Sequence, residues 1–220
     1  MPQVRLKTKS SAAPDYNELA RLGVATIYEA SGRQGLVDAE FHQIVSGSRV
    51  AGPARTVRCC QGDNLMIHAV LATVQPGEIL VLTMPDPAPI ALVGDLLATQ
   101  ALAQGAAGML IDASVRDVGE LRQLGLPIWA RFVRVRGATK NALGTINAPV
   151  EVGGMSIRAG DVVILDADGA VVVAAERAAE ILQTGLAREA KEADLRAKFQ
   201  AGQISIDVCG MREQVAAVLE

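Results

Sequence analysis

The sequence predicts an α/β fold built on parallel strands, and three observations carry the prediction. Segments of helical and strand period alternate along the chain, as in layered α/β domains. Between residues 78 and 132 the order is strand, helix, strand, helix, strand, which requires parallel strands and right-handed crossovers. Of the 220 residues 50% are hydrophobic but only 3% are aromatic, so the core is aliphatic, built from Ala, Val, Leu and Ile.

Each element has its own signal. Residues 15–31 predict two short helices broken at Gly23, and 48–58, punctuated by Gly52 and Pro53, a bent strand. Asp63 is placed as the N-cap of a helix over 64–73, ended by Pro76-Gly77. Glu78 to Thr83 is a buried-strand run, followed by a loop carrying Pro85, Pro87 and Pro89. Gly94 opens a helix over 95–104, closed by Gly105. Strands follow at 108–112 and 126–132, with a short helix at 118–123 between them. Runs 161–165 and 170–174, joined by Asp166-Ala167-Asp168-Gly169, predict a hairpin. From Glu176 to Gln200 the period is helical with a charged outer face, and Met211 to Leu219 completes the same segment. The expected organisation is an α/β catalytic domain at 1–175 and a C-terminal helical arm at 176–220 packing on a neighbouring subunit.

Composition excludes several function classes. A net charge of −3 and six aromatic residues argue against nucleic-acid binding. No apolar run reaches the ~18–20 residues that cross a bilayer. The first eleven residues carry Arg5, Lys7 and Lys9 without a following apolar stretch, unlike a secretory signal. The three cysteines, two of them adjacent, form neither a disulfide framework nor a CxxC metal pattern, and a reducing cytoplasm is the expected compartment. No two glycines are separated by a single residue, which removes a GxGxxG loop and with it a methyl-donor or dinucleotide site. Walker A and GxSxG patterns are missing too. The histidines are His42 and His68, and His68 reads as a packed or surface residue. Arg131, Arg134 and Arg136 read as a solvated face, with an anion or interface site as the other reading.

One constellation remains. Gly94-Asp95-Leu96-Leu97 lies where a loop becomes a helix, and Arg116-Asp117 lies just past the carboxyl end of the next strand. In a parallel unit these loops are neighbours at the ligand-binding edge. Backbone N–H groups around Leu96 and Leu97 favour an anion, and Arg116 can grip a carboxylate through two hydrogen bonds. Asp95 and Asp117 are hard oxygen ligands suited to Mg²⁺ or Mn²⁺. Together they suit a 2-oxo acid. The plainer reading is a helix-capping Asp95 beside a surface Arg116-Asp117 pair.

Asp95, twenty intervening residues and then Arg116-Asp117 resemble the D-x20-R-D signature of the class II 4-hydroxy-4-methyl-2-oxoglutarate/4-carboxy-4-hydroxy-2-oxoadipate aldolases. That family shares a superfamily with the regulator of ribonuclease activity A. The likeness extends to residues 29–35, 50–57, 62–68, 94–98 and the 160–169 hairpin. It implies a swivelling-domain-like αββα sandwich with a β-barrel-like core and a C-terminal helical arm, assembled as homotrimers or homohexamers. It also implies a pyruvate-releasing lyase acting on small keto acids, with oxaloacetate decarboxylase activity. Asp117 would hold Mg²⁺ or Mn²⁺, with Asp95 holding it through a water. Arg116, with Gly94, Asp95 and the Leu96 and Leu97 amides, would bind substrate. A carboxylate from a neighbour's C-terminal helix would complete the site, Glu192 being the choice and Glu189 the rival. The alternative is a non-catalytic regulator of ribonuclease activity on the same fold. Among the lysines, Lys7, Lys9, Lys140, Lys191 and Lys198, none sits in an apolar strand, which opposes a Schiff-base mechanism.

Overall fold

The chain is described from a computed structural model covering residues 13–219; the N-terminal segment weighed above as a possible signal lies outside the described residues. The first half runs α1 (Tyr16–Ala30), β1 (His42–Gln43), β2 (Val50–Arg58), α2 (Leu65–Val70), β3 (Ile79–Thr83), β4 (Ala91–Val93) and α3 (Asp95–Ala103). It continues with β5 (Gly108–Val115), α4 (Val118–Leu124), β6 (Ile128–Val133), β7 (Thr145–Ile146), β8 (Val150–Val152) and β9 (Met155–Ile157). The rest is β10 (Val162–Asp166), β11 (Gly169–Val173), α5 (Ala178–Gln200), α6 (Ser205–Val208) and α7 (Ala216–Leu219).

Strands β2, β3, β5 and β6 lie side by side in chain order and parallel, as the strand-helix alternation requires. Antiparallel β10 and β11 extend the sheet beyond β2, and β1 closes the other edge on β6. The sheet curls, so each strand alternates between an inner and an outer face. Ile79, Val81, Leu110, Trp129, Val163 and Leu165 point into the inner core, which the β8–β9 hairpin covers with Val150, Val152 and Ile157. Their neighbours Leu80, Leu82, Met109, Ile111 and Ile128 pack outward under α2, α3 and α4. On the antiparallel side, Val162, Ile164, Val171 and Val173 pack under α1 and α5. Burial on both faces explains the nearly unbroken apolar runs of the central strands.

The α1 helix breaks at Gly23 as its sequence predicts, with Gly23 at φ 80°, ψ 169° and Asp15 capping the start. Two expectations change. The second helix ends at Val70, before the expected Thr73, and Asn64, which replaces Asp63 at its N-cap position, makes no side-chain cap bond. Asp63 is a buried tether: Oδ1 accepts from Leu65 N at 2.9 Å, and Oδ2 accepts from Thr139 Oγ1 at 2.7 Å and Asn141 N at 2.6 Å. The sequence also gave no sign of β4 or the β8–β9 hairpin, each strand only three residues long.

Helix α5 buries Ala178, Ile181, Leu182 and Gly185 against the body, so the first two turns of the expected arm belong to the body's own packing. Beyond Leu186 the segment bears exposed Phe199, Ile204 and Met211. No helix among the described residues is long and apolar enough to cross a membrane. Cys59 is buried, which pushes its thiol up to about 12, as fits a small apolar packing residue. Arg131 pairs with buried Asp112 at 2.5 Å and lies 5.9 Å from the Phe41 ring centre, while Arg134 and Arg136 are exposed.

Candidate active site

Where β3 ends, β4 takes its place beside the carboxyl end of β5 and leads through Gly94 into α3. That short parallel strand brings the two loops of the sequence constellation together. Arg116 N donates to Val93 O at 3.1 Å, and Asp95 N donates to Asp117 Oδ2 at 3.2 Å. Arg116 Nε stands 3.6 Å from the same carboxylate oxygen. Gly94 is required by this contact, because a Cβ there would collide with Asp117 Oδ2 and lie 3.2 Å from Arg116 Nε.

Asp117 itself has a left-handed backbone, φ 59°, ψ 43°, which Asp tolerates better than most residues. The conformation turns the chain from β5 into α4 and leaves the carboxylate between Arg116 and the start of α3. Gly137 closes over the guanidinium: a Cβ there would lie 3.0 Å from Arg116 Nη1.

The first bond of the α3 ladder runs from Ala98 N to Gly94 O, so the N–H groups of Leu96 and Leu97 precede the ladder and remain for a ligand. Leu97 is buried, whereas the Leu96 side chain is 79% exposed at the mouth. Gly94, Asp95, Leu96, Leu97 and Arg116 all line one cleft of about 240 Å³. Gln100, further along α3, joins the lining, and the facing wall comes from the start of α2 and the loop after β6, with Asn64, His68 and Lys140. The sequence marks His68 only as a packed or surface residue and Lys140 only as a poor Schiff-base candidate, and it gives Asn64 and Gln100 no site role; His68 and Lys140 are both exposed, and both line the cleft. No periodic signal could bring Asn64 and His68 together with Lys140, because their proximity arises from the 137–142 loop folding back onto the start of α2.

Among the described residues no three His, Cys, Asp or Glu side chains gather as a metal site. One chain therefore offers Asp117 and Asp95. The donor chemistry of that set, hard carboxylate oxygens, would suit Mg²⁺, which retains waters and needs only one or two protein carboxylates. The arm carboxylates lie elsewhere within the chain. Glu192 pairs with Arg188 at 2.8 Å, and Glu189 grips Arg21 at 2.6 Å and 2.8 Å, which holds its carboxyl below the usual range.

Comparison with known proteins sets this geometry in a family. A family model described as RraA-like, Aldolase/RraA, matches residues 24–172. The chain belongs to the RraA-like family. A relative of this RraA-like chain from Halalkalibacterium halodurans, named "Putative 4-hydroxy-4-methyl-2-oxoglutarate aldolase", is 34% identical over 74% of this chain and 76% of its own. Among solved structures, an unusual member of the RNase ES inhibitor RraA protein family from Streptomyces coelicolor is similar, with 30% identity and a TM-score of 0.71. That match covers 84% of this chain and 99% of the other. A Geobacillus kaustophilus structure titled as an S-adenosylmethionine:2-dimethylmenaquinone methyltransferase matches at 29% identity and a TM-score of 0.64, over 68% and 93% of the two chains. The RraA-like fold thus carries names from three function classes, and the choice among them falls to the site.

Proposed function

We propose that this RraA-like chain is a divalent-metal-dependent lyase that releases pyruvate from 4-hydroxy-2-oxo acids and decarboxylates oxaloacetate. Substrates of the expected kind are 4-hydroxy-4-methyl-2-oxoglutarate and 4-carboxy-4-hydroxy-2-oxoadipate. The observation that carries this reading is the sharing of one cleft by Arg116, the open start of α3 and Asp95, with Asp117 held against them.

The substrate's C1 carboxylate binds Arg116 and the Leu96 and Leu97 N–H groups, which orients the 2-oxo group. Asp117, with Asp95 acting through a water, would hold Mg²⁺ or Mn²⁺, whose Lewis acidity polarises the keto oxygen. Cleavage breaks the C3–C4 bond: the C4 hydroxyl proton passes to a water held by Asp95, C4 becomes the carbonyl of the departing keto acid, and the C3–C4 electron pair passes to the C2 oxygen as pyruvate enolate. Arg116 stabilises the developing negative charge, and protonation at C3 yields pyruvate. Oxaloacetate loses CO₂ through the same enolate, so one site supports both reactions. Glu192 would enter from a neighbouring subunit's arm in a homotrimer or homohexamer.

Pyruvate release from these three compounds should require Mg²⁺ or Mn²⁺, stop in EDTA, and fall at least about 100-fold in Arg116→Ala. Full activity in EDTA would remove the metal from the mechanism. Borohydride trapping of a pyruvyl adduct would transfer the chemistry to a lysine. The similarity to an RNase ES inhibitor family member favours a second reading, a non-catalytic ribonuclease regulator. No turnover of any keto acid, together with inhibition of a ribonuclease, would establish that reading instead.

A further inference from the structure

The cleft has a second polar end that the chemistry at Arg116 leaves unused. One wall is the loop from Gly137 to Lys140. It passes Arg116 at Gly137, and two residues later Thr139 O accepts from Asn64 N at 2.9 Å. Lys140 follows on the lining, with His68 from α2. Three residues span at most about 10 Å, while the carboxyl carbons of a five-carbon diacid lie roughly 5 Å apart when extended. A diacid anchored on Arg116 can therefore reach toward the Lys140 end, with the flexible lysine stem spanning the remainder.

Asn64 marks that end independently. It is 7% exposed and lines the cleft, and its Nδ2 donates to Leu92 O at 2.9 Å, which sets the orientation of the amide. Its Oδ1 is buried with no hydrogen-bond partner. Buried acceptors are seldom left unpaired, so this oxygen has the capacity to accept from a donor that enters the cleft. The loop is also held in place: Asp63 accepts from Thr139 Oγ1 and Asn141 N, on either side of Lys140. Among the described residues Asp95, at the Arg116 end, is the one carboxylate lining the cleft, and no ion pair holds Lys140.

We propose that Lys140 and His68 form a subsite for the far carboxylate of a dicarboxylic 4-hydroxy-2-oxo acid, with Asn64 Oδ1 accepting from its hydroxyl. This assignment rests on the function proposed above and names its specificity-determining residues. Lys140 supplies a point charge, and His68 supplies a ring N–H donor.

The test compares 4-hydroxy-4-methyl-2-oxoglutarate with 4-hydroxy-2-oxopentanoate, which lacks the far carboxylate, in wild type and in Lys140→Met/His68→Gln. Both positions are exposed, so the double variant should keep its fold, as circular dichroism can verify. KM for the dicarboxylate should rise about 10-fold or more while KM for the monocarboxylate stays within about twofold, because charge-assisted hydrogen bonds carry the difference. Equal changes for both compounds, or none for either, would make the two residues ordinary solvated side chains. Asn64→Ala should raise KM for the hydroxylated dicarboxylate more than it raises the inhibition constant of 2-oxoglutarate, which has no hydroxyl; equal effects would overturn that role. If wild type turns over neither substrate, the proposed function fails, and calorimetry with Mg²⁺ reads the subsite separately. Preference for 2-oxoglutarate over 2-oxopentanoate in wild type, lost in the double variant, would support it, and equal or absent binding would overturn it.

Discussion

Gly94 and Asp117 illustrate how a residue without a side chain can be as exacting as one with a charge. The Asp117 carboxylate occupies the space a Cβ at Gly94 would take. Gly94→Ala should therefore displace Asp117 and reduce metal-dependent pyruvate release about tenfold or more, because small misplacements of catalytic groups are costly. A thermal melt within a few degrees of wild type would separate that loss from unfolding. Asp63 works at the opposite extreme of burial. Burial alone would push its carboxyl up, but hydrogen bonds from Asn141 N, Leu65 N, the Thr139 hydroxyl and Ala142 N outweigh it and hold the group below its ordinary 3.8. A depressed folded value stabilises the protein above the unfolded value, and that contribution is lost as pH falls through the folded one. Denaturant melts between pH 5 and 2 should accordingly show a shallower acid-side loss for Asp63→Asn than for wild type, although the variant is less stable at pH 7.

At the scale of elements, the kink of α1 is bound to the β10–β11 hairpin. Asp166 Oδ2 accepts from Val24 N at 2.9 Å, Asp166 Oδ1 accepts from Asp168 N at 2.8 Å, and a Cβ at Gly23 would stand 2.6 Å from Oδ2. One buried carboxylate thereby ties the hairpin turn to the helix break. Gly23 at φ 80°, ψ 169° occupies a region almost restricted to glycine. Gly23→Ala should destabilise the fold by about 2 kcal/mol or more, combining backbone strain with loss of the Asp166 contact. Calorimetric melting would measure it, and an unchanged midpoint would detach the kink from the hairpin. The break itself was legible in the sequence, because a glycine interrupts helical periodicity. Its carboxylate partner was not, being 143 positions away (Gly23 to Asp166).

At the scale of the whole molecule, the body buries its apolar surface on both sides of a curled sheet, but the arm does not. Phe199 is 40% exposed and Ile204 53% exposed, at and just beyond the end of a helix that meets the body only as far as Glu189, which pairs with Arg21. Such side chains suit burial against another copy of the chain. Sedimentation should give a trimer or hexamer, and Phe199→Asp/Ile204→Asp should shift it toward smaller species while the circular dichroism of the body persists. A monomeric wild type would remove the arm from assembly and Glu192 from any neighbouring site.

The sequence by itself determined the α/β class, the parallel central strands, the break at Gly23 and the pairing of Asp95 with Arg116-Asp117. These depend on local periodicity, on glycine punctuation and on the rule that successive loops of a parallel unit share an edge. Only the tertiary structure decided what lies across the cleft from them. Asn64, His68 and Lys140 meet because buried Asp63 draws a loop more than seventy residues away onto α2. Short strands such as β4 were equally illegible, since three residues have no measurable period and exist through pairing with β5. Local pattern reports which face of an element is apolar; which polar groups converge on a ligand is set by long-range hydrogen bonds, whose partners leave no periodic trace in the chain.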